Sequence, residues 1–268
     1  MNSHVHRYYS KFDEEDVPLH LFHEVIALHE NPDFSWDEVV ERVPNLVKGW
    51  YELARLSTAD RIEFTREFWL RILPYSPRTY DFIERFFSKL DDVGVYFTQL
   101  SFDSPFEAEI VYSFHHGNAF FHGSLPRDEE EIGYLREQFA GVFPEPFLSF
   151  LKIHDGFSKN GNMGIISSMQ LQKAYDDLQK NAEDKNLVIS CNSREIDPAD
   201  LIPFSESAGS GTYQCFYIPW SPEHEIGNVC YAPSEQIISD IQDKNFWPEN
   251  LAFPTFLGWL AFYLEGIE

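Results

Sequence analysis

The chain has 268 residues, 43% of them hydrophobic and 16% aromatic with 25 Phe, which excludes a disordered polymer and allows one large domain or two ordinary ones. Its formal net charge of −24 disfavours nucleic acid and anionic membrane surfaces as direct ligands, because both are gripped through clustered Lys and Arg. Cys191, Cys215 and Cys230 make an odd set without a CxxC pair; with no apolar leader at Met1–Tyr9 and no membrane-length apolar run, this points to a soluble cytoplasmic protein without a disulfide framework.

From about Pro18 the pattern predicts helices. Leu19, Phe22, Val25, Ile26 and His29 keep helical spacing up to Asn31-Pro32. Ser35-Trp36-Asp37-Glu38 is a capping-box pattern, Asn45 to Leu56 resumes the periodicity, and Ser57 restarts it for Ile62, Phe64, Phe68, Trp69 and Ile72. Ser76-Pro77 supplies a cap and a first-turn proline ahead of Ile83, Phe86 and Phe87. Short proline-marked connections suit an antiparallel bundle or an array of helix pairs, so residues 1–92 are expected to form a helical N-terminal part.

At Asp91-Asp92 the texture changes. Val93 to Phe102 and Glu107 to Phe114 read as strands, and His115-His116-Gly117-Asn118 turns the second into Ala119-Phe120-Phe121-His122. This hairpin region, residues 93–125, fits either the sheet of the C-terminal part or a position between the two parts. An acidic helix, Asp128 to Phe139, follows, with its negative charge at the end the helix dipole favours.

The most sharply bounded stretch is Phe143 to Gly156. Pro144 and Pro146 sit where a first turn tolerates proline, Phe147, Phe150, Leu151 and His154 form an apolar face, and Gly156 ends the helix. Beyond it come a strand-like Met163-Gly164-Ile165-Ile166, a polar helix from Ser168 to Ala182, and strands at Leu201–Phe204, Tyr213–Ile218 and Asn228–Tyr231. The chain closes with an apolar helix from Phe253 to about Leu264. No strand-helix-strand alternation with a glycine fingerprint appears, so an α+β fold is expected: a helical N-terminal part, then a mainly antiparallel sheet flanked by helices.

Candidate chemistry is thin. His115, His116 and His122 would share a hairpin, but without a diagnostic ligand spacing they are expected at the solvent-exposed surface and not on a metal. There is no Gly-x-Ser-x-Gly elbow, and Gly209-Ser210-Gly211 lacks the lysine and helix of a phosphate cradle. No cofactor, metal or catalytic residue is assigned. An acidic rim around an exposed aromatic is what a protein-binding face looks like, and Asp155, Phe157, Glu206, Gly209, Gly211, Trp220 and Glu223 are its candidates.

The order of these motifs resembles the SMI1/KNR4 (SUKH) family over roughly residues 131 to 267. The family's Leu-Pro appears as Phe143-Pro144, its His-Asn-Gly as His154-Asp155-Gly156, its Ile-Pro-Phe as Ile202-Pro203-Phe204, and its Phe-x-x-Phe-Leu as Phe253 to Leu257; Gly209-Ser210-Gly211 replaces an acidic Gly-rich turn. The resemblance implies a SUKH-like domain at 126–268 that is non-enzymatic and binds another protein. It implies an immunity-type protein neutralising a cognate basic, nuclease-like toxin or, alternatively, a regulatory scaffold bridging two protein partners.

Overall fold

A computed structural model describes residues 1–9, 21–116, 119–162, 164–184, 188–191, 194–207, 211–242 and 250–265. Gly209 and Ser210 of the glycine-rich turn, Met163, the Gly117-Asn118 turn and the Pro18–His20 start of the first expected helix lie outside the described residues. The chain forms two compact units, residues 1–126 with 157–161, and residues 127–156 with 162–266.

The first unit begins with α1 (Ser3–Tyr9) and β1 (Glu24–Ala27), followed by α2 (Trp36–Arg42), α3 (Lys48–Leu53), α4 (Thr58–Ile72) and α5 (Pro77–Phe87). Strands β2 (Leu90–Gln99), β3 (Glu107–Phe114) and β4 (Phe120–Ser124) complete its continuous part. The cap signals act as the sequence predicts: Ser35 and Glu38 form a capping box, and Ser57 and Ser76 accept the amides of Asp60 and Thr79.

Two expectations fail in this unit. Val25 and Ile26 lie in a strand, not a helix. Ile26 is buried beside the register partner Phe97, while Val25 and Ala27 pack on the other face with Val5, Tyr9 and Tyr96. A strand covered on both faces shows a continuous apolar run, which helical spacing can mimic. Nor do the helices form a bundle: α4 lies against β2, and Trp69 on it donates from Nε1 to Tyr112 Oη at 3.0 Å among Phe86, Phe87 and Phe157.

The hairpin region belongs to this unit's own sheet, an antiparallel meander in the order β1-β2-β3-β4-β5. Its last strand, β5 (Phe157–Lys159), comes from the segment immediately after the His-Asp-Gly turn.

The second unit contains α6 (Glu129–Gln138), α7 (Glu145–Leu151) and α8 (Ser168–Asp184), then β6 (Ile189–Cys191), β7 (Arg194–Ile196), β8 (Leu201–Ser207) and β9 (Thr212–Tyr217). Strands β10 (Asn228–Ala232), β11 (Ile237–Ile238) and β12 (Ala252–Phe253) precede α9 (Phe256–Glu265). Its sheet runs β7-β6-β11-β10-β9-β8 with β12 also on β10, and every pairing is antiparallel except β11 with β6. Phe147 and Phe150 of α7 meet Phe204, Phe216, Phe256 and Trp259 in an aromatic core with ring centroids 4.2–6.4 Å apart. Each such ring removes a large apolar area from water, and edge-to-face contact adds about 0.5–1.5 kcal/mol per pair. This α+β architecture agrees with the fold class read from the sequence.

Candidate functional site

Three groups of side chains were candidates for function, and each has a different fate in the fold. The first is Asp155, in the turn that ends α7. Gly156 takes φ +93°, a backbone conformation that glycine adopts without steric cost, and this lets the chain reverse directly after the helix. Asp155 is only 4% exposed. Its carboxylate accepts from Arg127 Nε at 2.6 Å, from the Ser168 amide at 2.6 Å and from Ser168 Oγ at 3.0 Å. Arg127 is itself tied down by its amide to Leu151 O at 2.8 Å and by its guanidinium to Glu131 at 2.5 Å. Asp155 thus locks the end of α7, the start of α8 and the approach to α6 together.

Phe157 is 1% exposed and belongs to the core of the first sheet, against Tyr112, Trp69 and Phe121. Asp155 and Phe157 are therefore interior groups and offer nothing to a partner, contrary to the expectation that they border a binding face. An ion-paired carboxylate and an exposed one look alike in a sequence.

The second group was expected to form one acidic face around an aromatic. Glu206 and Gly211 (φ +63°) lie at the β8–β9 turn, whereas Trp220 and Glu223 follow the other end of β9. Six extended residues separate the two ends by about 20 Å at ~3.3 Å per residue, so the candidates make two patches rather than one. At the first patch, Glu206 stands opposite Tyr213 in the register; burial raises the carboxyl's pKa, and burial followed by Glu206 and Asp177 raises that of the Tyr213 phenol.

At the second patch, Trp220 packs against the sheet core, and its ring covers Gly227 so closely that an added Cβ there would lie 2.3 Å from Cε3. The backbone is pinned by Gly227 N to Trp220 O at 2.8 Å and Ile218 N to Asp200 O at 3.1 Å. Beside it, Tyr175 on α8 donates its hydroxyl to Ala199 O at 3.3 Å, in the 3-10 turn Pro198–Asp200. Acidic groups crowd this end: Asp200 is raised in pKa by burial and then by Asp197, and Tyr175 by burial and then by Asp197, Asp176 and Asp200. Glu223 and His224 are exposed, while Glu225 caps α9 by accepting the Phe256 amide at 2.7 Å. The tryptophan thus plugs a sheet end, and the acids crowd Tyr175. Carboxylates crowded in this way favour a cation from outside.

Sequence reasoning missed the third group. Glu109 on β3, His122 on β4 and Ser158 on β5 form a hydrogen-bonded chain across three strands: Nδ1 of His122 meets Glu109 Oε2, and Ser158 Oγ lies 2.7 Å from Nε2. The rings of Tyr8 and Phe120 flank the imidazole at 5.9 Å each. Burial and then Glu109 push the Tyr8 phenol up to about 12. The connectivity is that of a charge relay, and acyl transfer would also require free amide donors beside the serine. Ser158 instead sits within a paired strand opposite His122, and the Asn160 amide donates to Phe120 O at 2.9 Å. The chain acts as a polar clasp holding three strands in register. His122, expected at the surface, is half-buried within it; only the register of strands far apart in sequence brings Ser158 to it.

Among the described residues no three His, Cys, Asp or Glu side chains converge to hold a metal ion, and no helix is long and apolar enough to cross a membrane. Cys191, Cys215 and Cys230 are free thiols.

A proline-led helix ending in a locked His-Asp-Gly turn, followed by a mainly antiparallel sheet with an apolar closing helix, defines an α+β domain whose conspicuous surface features are acidic and aromatic. Residues 126–261 match the SMI1 / KNR4 family (SUKH-1), and the chain belongs to that family. Comparison with individual curated proteins gives no match.

Proposed function

We propose that the protein is a non-enzymatic binding protein of the immunity type, which neutralises a basic, nuclease-like toxin by direct contact. One observation carries this reading: in the family domain the pKa of Tyr175 is raised by burial and then by the nearby Asp197, Asp176 and Asp200, that of Asp200 is itself raised by burial and a neighbouring acid, Asp200 O accepts the exposed Ile218's amide, and Trp220 and the exposed Glu223 follow in the chain. A cationic side chain entering this patch relieves like-charge crowding, and the net charge of −24 speeds encounter with a basic partner. Glu206 and Gly211 at the other end of β9 form the second contact, and both patches fit within one standard interface of ~800 Å² per partner. Gly209 is retained in this second contact as an expectation from the sequence.

The test uses the product of a neighbouring reading frame that carries a basic C-terminal domain. Co-expression should protect cells from it, and affinity for the purified domain should fall steeply with salt. Asp197→Lys/Asp200→Lys should weaken binding at least ~10-fold, the scale of a hot-spot loss of about 1.4 kcal/mol or more. Binding indifferent to salt and to both substitutions overturns the reading.

A second reading, a scaffold bridging two protein partners, is favoured by the first unit, which has its own sheet and core in residues 1–126, largely outside the family match. An inhibitor needs only the toxin to be bound. A scaffold needs a second partner retained on the first unit, and a stable ternary complex distinguishes the two.

A further inference from the structure

Helix α4 buries Arg61, Thr65 and Trp69 on one side. On the other side Phe64 is 61% and Phe68 43% exposed, one helical turn apart. Exposed neighbouring phenylalanines on a long, well-capped helix need a reason, because a contiguous apolar patch on a surface marks an interaction site. At ~100° per residue Asp60, Phe64, Phe68 and Arg71 fall on the same stripe. The stripe therefore runs from acid through two aromatics to base; Glu67 beside it pairs with Arg66 at 2.7 Å, and Arg66 also reaches Glu84 at 3.5 Å. Tyr75 lies exposed just beyond the helix, and Tyr80 is exposed on α5, which α4 contacts through Arg66 and Glu84 at 3.5 Å.

We propose that this stripe is the interface for a second copy of the same chain, packed with its α4 antiparallel about a two-fold axis between Phe64 and Phe68. In that arrangement Phe64 of one copy meets Phe68 of the other, and Asp60 of one lies beside Arg71 of the other at both ends. The pattern is self-complementary, as an isologous contact requires, and antiparallel helix dipoles favour it as well. A basic partner would have no use for Arg71 on the stripe. One helix covers less than the ~800 Å² per partner of a standard interface, so the dimer is a weak one. The −24 charge on each copy opposes association at long range, and salt screens that repulsion. The dimer therefore tightens as salt is raised, the opposite of docking onto a basic partner.

Sedimentation equilibrium of the full chain, from low micromolar to sub-millimolar concentration and at two salt levels, tests this. A monomer–dimer equilibrium that strengthens with salt is expected. Phe64→Ser/Phe68→Ser should weaken it at least ~10-fold while leaving the circular dichroism unchanged. Asp60→Arg alone and Arg71→Asp alone should each weaken it, and the two in one chain should restore it, because opposite charges then face each other again. Thermal melts check that Asp60, which also bonds Ser57 at the helix cap, is replaced without unfolding α4. A monomer under all conditions, a dimer indifferent to Phe64→Ser/Phe68→Ser, or a double reversal no better than the single ones overturns the proposal.

Discussion

Replacing Asp155 by alanine tests the most heavily determined contact of the family domain. The substitution removes the acceptor of Arg127 Nε, the Ser168 amide and Ser168 Oγ together. Breaking a buried ion pair by deleting one partner costs about 3–5 kcal/mol, and an orphaned amide about 1–3 more. Arg127 keeps Glu131 and Ser168 Oγ as partners, and its side chain is 23% exposed, so the lower end applies. A loss of about 3–4 kcal/mol is expected, or roughly 10 °C in Tm at ~2–4 °C per kcal/mol. Asp155→Asn keeps an acceptor for the Ser168 amide and should lose about half as much. Calorimetry of the full chain, with urea titration followed by tryptophan fluorescence, gives the numbers. A transition within about 1 kcal/mol of the wild type after Asp155→Ala would refute the account, because no buried lock of this kind is that weak.

Gly227→Ala places a Cβ 2.3 Å from Trp220 Cε3 and 2.6 Å from Cζ3, so the indole must shift; a loss of about 1–3 kcal/mol with a red-shifted emission is expected, and an unchanged melt would contradict the close packing. Glu225 has its carboxyl raised in pKa, chiefly by burial and only partly offset by the Phe256 amide. A raised folded value means that its contribution is intact below the ordinary 4.5 and is lost as pH climbs through the folded value, so Glu225→Gln should gain on the wild type across that window and match its pH dependence below it. The Cys230 thiol is pushed up to about 11 by burial, and that of Cys215 well above its ordinary value by burial first. Ellman's reagent at pH 8 should therefore react with both slowly until denaturant is added, and rapid reaction in the native state would deny their burial.

What the sequence revealed was local chemistry. Ser35, Ser57 and Ser76 cap helices where their spacing predicts, because a cap is settled within a few residues. The family order was legible for the same reason: proline, glycine and paired aromatics mark where elements start and stop. β1 was not legible, since both of its faces are covered and its apolar run fits a helix equally well. Separation along a strand is legible as well, though closeness in sequence masks it. A strand at Tyr213–Ile218 already implies that Gly211 and Trp220 are a strand's length apart, yet proximity in sequence made them look like one face. The burial of Asp155 depends on Arg127 and Ser168, and no local pattern signals it.

The same turn explains why this chain carries a polar lock where an apolar contact would be easier to build. Asp155 and Ser168 flank an excursion: after Gly156 the chain supplies β5 to the first sheet, then returns for α8. Fixing both ends of that excursion with one carboxylate limits the conformations open to the intervening residues, and its charge and hydrogen-bond geometry select Ser168 and Arg127 over other surfaces. An apolar residue at 155 could bury comparable area, but it would leave the Ser168 amide without an acceptor and accept several packings. Asp155 therefore contributes specificity of chain path as well as stability. That role accounts for its position at the end of α7, immediately before the glycine, and it requires no contact with any partner.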